Sequence, residues 1–384
     1  MEYVFVSGMF RSGTTLLARM LNTHSQIVFA SDPMRPLFNS YRHTIADDRY
    51  KNCHDRYDPL GDYFLKDIML LKQILASDLN ARIDETLNDL FEIVVGQAKA
   101  YSGLWASTLQ VKRDIKTYKE LIQYFLVHIE NTYVENKAIE VVGFKEVWAN
   151  EMVPAFLNSF PDSKSIIVVR DPRDVTASNN STPAKYPLFF LGRQWRKLAF
   201  LGKYIEKQYP GRVLLLRYED LVENPEQVVK SLCSFVEVPF ESSLLDPSNY
   251  VDGNNKPWKQ NTKYGYKAKQ TINKNSLGKW RTILERSDLL IIELIARDWM
   301  EIYGYDTSIS LSTLIKEPAS SFRRWPNREL SGWIRAHSFD ENNDSFASEI
   351  IREKLRLQYI YSDLHLTDED DFSLQSSKCA IFME

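Results

Sequence analysis

Near its N-terminus the chain reads Val4-Phe5-Val6-Ser7-Gly8-Met9-Phe10-Arg11-Ser12-Gly13-Thr14-Thr15-Leu16-Leu17. This is an apolar run, then a turn bounded by glycines, then the start of an apolar helical stripe, and it predicts a strand, a loop and a helix in succession. In such a loop, successive backbone N–H groups point at an anion on the positive end of the helix. Gly8 and Gly13 let the backbone approach phosphate oxygens closely. The stretch therefore predicts a phosphate-binding loop in an α/β fold.

The loop departs at one position from the form that binds nucleoside triphosphates. Its spacing is that of a P-loop, but Thr14 stands where the lysine is expected. Without that lysine, a nucleoside triphosphatase loses its main contact to the β- and γ-phosphates. Arg11 is the only cation in the loop, and its planar fork of donors suits the bridging oxygen of a phosphosulfate. The alternative is an ordinary strand–turn–helix whose glycines only make the turn.

A second candidate for anion binding follows a buried-type strand at Ser165–Val169. The chain continues Arg170-Asp171-Pro172-Arg173-Asp174-Val175-Thr176-Ala177-Ser178. Arg170 at the end of the strand and Ser178 two helical turns later can both reach one anion near the carboxyl edge of the sheet, where open α/β sheets bind ligands. The alternative is a capped helix start, with Asp171 as N-cap and Pro172 in the first turn.

With both motifs present in this order, the sequence resembles the sulfotransferases that use 3′-phosphoadenosine 5′-phosphosulfate (PAPS). The run from Arg11 to His24 resembles the tyrosylprotein and carbohydrate branches most closely. Two further segments are similar to the family, Leu216-Arg217-Tyr218-Glu219-Asp220-Leu221 and Ser276-Leu277-Gly278-Lys279-Trp280-Arg281. The resemblance covers about residues 1–305.

The resemblance implies which residues hold PAPS and its desulfated product, PAP. The 5′-phosphosulfate would lie on Arg11, Ser12, Gly13, Thr14 and Thr15. Arg170 and Ser178 would hold the 3′-phosphate, and Tyr218 would pack near the adenine. A late loop would close over the 3′-phosphate side, formed by Ser276, Leu277, Gly278, Lys279 and Trp280. This loop ends a stretch from Gly253 to Arg281 that has eight basic residues and no acidic one.

Sulfuryl transfer to a hydroxyl or amine needs a base to accept the acceptor's proton and cations around the leaving oxygen. Asp32 follows the predicted strand Ile27–Ala30, in the neighbourhood where the resembling enzymes carry an acidic base, usually glutamate. Its alternative is an N-cap ahead of Pro33. Two other bases stay open: His24, for which a packed histidine is the competing interpretation, and Glu146.

Lys145 matches the lysine that many of these enzymes place beside the sulfuryl group. It stands at the end of the predicted strand Glu140–Gly143, and a surface lysine at a strand's end is the competing interpretation. Arg35, Arg42 and the residues from 60 to 135 are expected to shape the acceptor pocket. The sequence does not identify the acceptor among small molecules, carbohydrates and peptides.

Short aliphatic runs alternate with longer helical patterns, which predicts a P-loop-like three-layer α/β/α fold around a mostly parallel sheet. The other predicted strands are Tyr3–Ser7 and Arg212–Leu216. Residues 60–135 show no strand pattern and are predicted to be a helical insertion within a domain of residues 1–305. Residues 306–384 form a C-terminal extension with one predicted helix at about Ser348–Leu357 and an acidic patch at Asp368–Asp371.

The bulk composition limits the partners and the location. A net charge of −3 gives no general case for nucleic acid, and the three scattered cysteines offer neither a disulfide framework nor metal-ligand spacing. The longest apolar runs are far too short to span a bilayer. We therefore expect a cytoplasmic enzyme without a metal. The competing function is a kinase-like phosphotransferase with an altered phosphate loop, in which Thr15 would contact Mg²⁺.

Overall fold

Five parallel strands form the centre of the structure, a computed structural model. It describes residues 2–53, 55–57, 68–112, 114–133, 138–180, 186–252, 257, 272, 274–323 and 343–362. The strands pair in the order β2-β3-β1-β4-β5, with the bounds β1 Glu2–Gly8, β2 Ile27–Ser31, β3 Val141–Val147, β4 Lys164–Val169 and β5 Val213–Arg217. Most of their residues are buried, as expected for a parallel sheet covered on its faces. The predicted P-loop-like α/β fold with a parallel sheet is confirmed.

Strand β3 differs from the prediction, which ended it at Gly143. It continues through Lys145 and Glu146 to Val147, in register with β1. The charged pair interrupts the apolar run in the sequence, yet only 2% of Lys145 and 1% of Glu146 is exposed. The interpretation of Lys145 as a surface lysine at a strand's end is therefore wrong. Burial in the sheet forces both charges to find partners inside the protein.

The chain divides into two compact units. The first comprises Met1–Pro59, Leu70–Val169 and Gly202–Lys274, and the second comprises Leu60–Met69, Arg170–Leu201 and Asn275–Glu384. The predicted boundary at residue 305 stays a prediction. The lysines between residues 256 and 269 and the acidic patch at Asp368–Asp371 lie outside the described residues.

The first unit contains the sheet and most of the helices. Its helices are α1 Thr14–Leu21, α2 Arg35–Ile45, α3 Asp48–Cys53, α4 Ile68–Ala76, α5 Leu87–Tyr101, α6 Tyr118–Tyr133, α7 Val153–Ser159, α10 Tyr218–Glu223 and α11 Pro225–Phe235. Phe5 of β1 stacks on Phe144 of β3 with ring centroids 4.5 Å apart, and the rings of Phe38 and Phe156 close on the same pair. This aromatic cluster fixes α2 and α7 to the middle of the sheet. The described residues from 68 to 133 contain helices and a single isolated β-bridge.

The second unit is helical in its described part. Its helices are α8 Pro172–Asn180, the first part of α9 Leu188–Gln208, α12 Trp280–Ile283, α13 Arg286–Ile302, α14 Leu311–Lys316 and α15 Asn343–Ile360. Helix α15 contains the helix predicted at 348–357. Among the described residues, no helix is long and apolar enough to cross a membrane.

A buried carboxylate attaches α15 to the rest of the second unit. Glu353 contacts the guanidinium groups of Arg193 and Arg196 on α9 and of Arg356 on its own helix, at 3.1, 2.6 and 2.8 Å. Only 2% of Glu353 is exposed. The three guanidinium groups hold the pKa of the Glu353 carboxyl well below its usual range, against the effect of burial. The C-terminal helix is therefore part of the core of this unit.

We expect Glu353→Ala to lower the free energy of unfolding by about 3–5 kcal/mol, because it leaves buried arginines without their shared partner. Urea unfolding followed by circular dichroism measures this. The control is Glu206→Ala, which removes an exposed pair with Lys203 on α9 and should cost at most about 1 kcal/mol. Equal effects of the two variants would contradict the structural role of Glu353.

Candidate active site

The predicted phosphate loop connects β1, which ends at Gly8, to α1, which begins at Thr14. Two of its residues have positive φ angles, Arg11 at 66° and Gly13 at 97°. The loop closes on itself, since the amide and the hydroxyl of Ser12 both donate to the carbonyl of Met9, at 3.1 and 2.6 Å. The hydroxyl of the buried Ser12 is thus used within the loop.

Neither glycine of the loop tolerates a side chain. A Cβ at Gly8 would lie 2.4 Å from the carbonyl oxygen of Val168, and one at Gly13 would lie 2.3 Å from the ring of Tyr218. Tyr218 was predicted near the adenine, and the structure places its ring against Gly13. The tyrosine at the start of α10 therefore supports the turn that leads into α1.

Arg11 lies beside an aromatic pair. Its guanidinium carbon is 5.7 Å from the centre of the Phe10 ring, and Phe10 stacks on Trp148 with centroids 5.8 Å apart. The amide of Trp148 donates to the carbonyl of Gly8 over 3.1 Å. The residue after β3 is thus connected by its backbone and its ring to the loop after β1. Thr14 is buried, and Thr15 is half-buried.

Asp32 follows β2 and faces the end of β3. Its amide donates to the Lys145 carbonyl over 2.6 Å, and its Oδ2 lies 2.5 Å from Lys145 Nζ. Its φ of 48° is unusual for a residue other than glycine. Oδ1 is screened from solvent and has no hydrogen-bond partner among the described residues. The N-cap interpretation is wrong, because α2 begins at Arg35 with Met34 as its N-cap.

Glu146 lies next to Lys145 with a different charge state. Burial, with the nearby Asp32 carboxylate adding to it, raises the pKa of Glu146 to about 8. The Met34 amide donates to its Oε1. This raised pKa favours the protonated form of Glu146, and only the ionised form can accept a proton as a general base.

Both ring nitrogens of His24 are engaged in the packed structure. Nε2 lies 2.7 Å from the carbonyl of Pro239, and Nδ1 accepts the Gln26 amide over 2.9 Å. His24 is fully buried. These contacts match the packed histidine expected as the alternative, and they leave Asp32 as the strongest of the three candidate bases.

Two residues of the helical insertion hold the backbone around Asp32, and sequence reasoning missed both. Gln97 of α5 donates to the Asp32 carbonyl over 3.1 Å, and Ser102 donates its hydroxyl to the Ser31 carbonyl. Arg35 in turn donates to Gln97 Oε1 over 3.3 Å. No sequence signal links these residues, since Gln97 is 65 positions from Asp32 and belongs to no motif.

In the second unit, Arg170 follows β4 directly and Ser178 lies on α8. Arg170 is 7% exposed, and its guanidinium donates to the carbonyl of Ser276 over 2.6 Å. The Trp195 indole donates to the Arg170 carbonyl over 2.7 Å. Asp171 accepts the Arg173 amide over 2.8 Å, as an N-cap does, so the capped helix start is present as well.

The structure brings the predicted site residues together in two groups. The loop with Tyr218 and the pair of Asp32 with Lys145 all lie at the carboxyl edge of the sheet in the first unit, because the order β2-β3-β1 makes their strands neighbours. Arg170 and the loop Ser276–Trp280 meet in the second unit, where Lys279 is exposed and Trp280 is buried. The described residues contain no group of three or more His, Cys, Asp or Glu side chains that could hold a metal ion.

The sequence profile of the sulfotransferase family matches residues 3–242, which is more than half of the chain. The chain belongs to the sulfotransferase family. A second profile, for the sulfotransferase domain, matches residues 192–304. The family assignment that was inferred from the residues is thus confirmed.

Two relatives and one solved structure show how distant the family members are. A Caenorhabditis elegans protein named "Putative protein-tyrosine sulfotransferase" is 24% identical over 43% of this chain and 66% of its own length. An uncharacterized Aquifex aeolicus protein is 28% identical over 35% of this chain and 18% of its own. The chain thus spans less than two thirds of these relatives. The sulfotransferase domain of the Synechococcus PCC 7002 olefin synthase has the same fold, with a TM-score of 0.50, 20% identity and coverage of 80% and 95%.

Glu146 predicts a pH dependence of stability. Its pKa in the folded protein, about 8, is above the ordinary 4.5, so the folded state binds the proton more tightly. Its contribution is therefore fully present below pH 4.5 and is lost as the pH rises towards 8. We expect Glu146→Gln to flatten the fall in unfolding free energy over this range, by up to about 1.4 kcal/mol per pH unit. Urea unfolding at several pH values measures both proteins, and parallel curves would contradict the assignment.

Proposed function

We propose that this chain is a PAPS-dependent sulfotransferase that transfers the sulfuryl group to a hydroxyl or amine of its acceptor by in-line displacement. One observation carries the proposal. A carboxylate, Asp32, and a buried lysine, Lys145, meet on strands next to a glycine-bounded loop that contains a single arginine. This combination supplies a base and two cations at one edge of the sheet.

The loop fits the phosphosulfate end of the donor. Both glycine positions are packed against the protein on the side where a Cβ would project, and the absence of side chains would let the backbone N–H groups of the loop approach anionic oxygens. The amides at the start of α1 and the Arg11 guanidinium would stabilise the charge that develops on the leaving phosphate. Arg170 and Ser178 would bind the 3′-phosphate that distinguishes PAPS from other adenine nucleotides.

In the proposed reaction, Asp32 accepts the acceptor's proton while the acceptor oxygen or nitrogen attacks sulfur. The new bond to sulfur forms as the bond between sulfur and the bridging phosphate oxygen breaks, and PAP leaves. Lys145 pairs with Asp32 Oδ2, so Oδ1, which has no hydrogen-bond partner among the described residues, is the proposed proton acceptor. A buried carboxylate oxygen without a hydrogen bond, such as Asp32 Oδ1, destabilises the protein by about 1–3 kcal/mol. The hydroxyl of the sulfuryl acceptor would donate the missing hydrogen bond.

The cytoplasmic location stays a prediction, and the acceptor belongs to one of three classes: small molecules, carbohydrates or peptides. A screen of alcohols, phenols, sugars and peptides with [³⁵S]PAPS would identify the acceptor class. Transfer to no member of the panel, despite PAP binding, would favour a nucleotide-binding scaffold over an enzyme.

Arg11→Ala is expected to weaken PAP binding at least tenfold, because it removes the loop's only cation, and to abolish sulfuryl transfer. Isothermal titration with PAP measures the binding, and ATP–Mg²⁺ serves as the competing ligand. Arg82→Ala, which lies on a loop of the insertion, is the control and should leave PAP binding unchanged. Tight ATP–Mg²⁺ binding by the wild type without PAP binding would support the kinase-like phosphotransferase instead.

Asp32→Asn is expected to lower turnover on the order of 10²-fold or more, which is the scale of general-base loss, and to leave PAP affinity within about twofold. Transfer of [³⁵S]sulfuryl to the acceptor from the screen measures the rate. Because the substitution also leaves the buried Lys145 without its partner, rates are compared well below the unfolding temperature. Glu92→Gln on the exposed face of α5 is the control. Unchanged turnover in Asp32→Asn would exclude Asp32 as the base.

A further inference from the structure

The buried carboxylate of Asp174 lies among the residues that the proposed function assigns to the 3′-phosphate. Asp174 is in the first turn of α8 and is only 3% exposed. Its two oxygens accept backbone N–H groups from the late loop, Oδ2 from Gly278 over 2.8 Å and Oδ1 from Trp280 over 3.1 Å. The Asp174 carboxylate therefore accepts the amides of Gly278 and Trp280, two residues of a loop that is more than a hundred residues away in the chain.

The neighbouring arginines hold the same loop at other points. Arg170 donates to the carbonyl of Ser276 over 2.6 Å, and the guanidinium carbon of Arg173 lies 4.0 Å from the centre of the Trp280 ring. Arg173 is itself fixed by Asp171 and by Glu293 of α13, at 2.8 and 3.0 Å. The segment from Arg170 to Asp174 thus contacts the loop through a carbonyl, a ring and two amides.

The negative charge of a carboxylate argues against direct binding of the 3′-phosphate by Asp174. A carboxylate repels a phosphate, so a direct contact between Asp174 and the 3′-phosphate would be unfavourable. Burial raises the pKa of Asp174, and the Arg170 charge and the two donated N–H groups oppose that shift. The two amides that Asp174 accepts give this buried carboxyl group a structural role in the loop.

The backbone of the loop needs such an anchor. Gly278 has a φ of 65°, and a Cβ there would lie 2.8 Å from a guanidinium nitrogen of Arg281. The guanidinium carbon of Arg281 lies 4.4 Å from the centre of the Trp280 ring. The turn at Gly278 therefore places its amide towards Asp174 in a conformation that a residue with a side chain rarely adopts.

We propose that Asp174 is a positioning residue that holds the loop Ser276–Trp280 in the conformation that binds the donor's 3′-phosphate. The proposal rests on the proposed function, because it takes the 3′-phosphate site from there. Asp174 acts only through the Gly278 and Trp280 amides that it accepts. Arg170 donates to the Ser276 carbonyl of the loop and, in the proposal, also contacts the 3′-phosphate. In this arrangement the loop is already ordered before the nucleotide arrives.

The test uses two nucleotides that differ only in the 3′-phosphate, PAP and adenosine 5′-monophosphate (AMP). Isothermal titration gives the affinity of the full chain for each, and their ratio isolates the contribution of the 3′-phosphate. We expect Asp174→Asn to lower PAP affinity at least tenfold and to change AMP affinity less than twofold. An asparagine has one accepting oxygen and an NH₂ group that only donates, so it cannot accept the two amides on two separate oxygens as Asp174 does.

A matched control separates positioning from general destabilisation. Asp298→Asn removes a partly buried carboxylate that pairs with Arg356 in the same unit. It should lower the stability of the protein and leave the ratio of PAP to AMP affinity unchanged. If Asp174→Asn fails to fold, Gly278→Ala tests the same loop from its other side and should give the same selective loss.

The outcomes distinguish the two proposals. A wild-type protein that binds PAP no better than AMP would overturn the assignment of the 3′-phosphate site, and with it the proposed function. A wild type that prefers PAP, together with an Asp174→Asn variant that keeps the whole preference, would overturn the positioning role alone. Hydrogen exchange adds a second reading, since the Gly278 and Trp280 amides should exchange faster in the variant while α13 stays protected.

Discussion

Two ionisable side chains buried at the end of β3, Lys145 and Glu146, constrain the first unit of this protein. Strand pairing fixes their positions, since Lys145 is in register with Ser31 of β2 and Glu146 with Ser7 of β1. Taking charges out of water is unfavourable by several kcal/mol per ion unless partners are supplied. The turn after β2 supplies both partners, a carboxylate for Lys145 from Asp32 and an amide for Glu146 from Met34. Asp32 has a positive φ in this turn, which contacts Lys145 through the Asp32 carboxylate and Glu146 through the Met34 amide.

The same constraint separates the roles of two neighbouring carboxyl groups. Asp32 forms an ion pair with Lys145, whereas burial and the proximity of Asp32 raise the pKa of Glu146 to about 8. Two carboxylates close together in a buried site do not both ionise readily. The raised pKa therefore favours the protonated form of Glu146, whereas Asp32 is the carboxylate that pairs with Lys145. Helix α5 contributes to this arrangement through Gln97, which donates to the Asp32 carbonyl.

In the second unit, the segment that begins at Arg170 contains residues that could bind a phosphate and residues that hold the surrounding backbone in place. Arg170 and Ser178 have the chemistry to bind a phosphate, whereas Asp171, Arg173 and Asp174 form a network that caps α8 and holds the late loop. Buried polar groups stabilise a unique conformation when every member of the network has a partner. The C-terminal helix, which lies beyond the matched family profiles, is attached to the same unit through Glu353.

The sequence by itself determined the family, the presence of the five strands and the strand–loop–helix succession around Gly8 and Gly13. Apolar periodicity and glycine placement are local properties, so β1 and the loop from Gly8 to Thr14 were readable from the 14 residues from Val4 to Leu17. The end of β3 was not, because charges at positions 145 and 146 resemble a strand's end until a partner is known. The tertiary structure alone decided that Asp32 pairs with Lys145, that Tyr218 packs on Gly13, and that Asp174 holds Gly278 and Trp280. These choices depend on which distant backbone and side-chain groups the sheet and helices bring within hydrogen-bonding distance, and local sequence does not encode that distance.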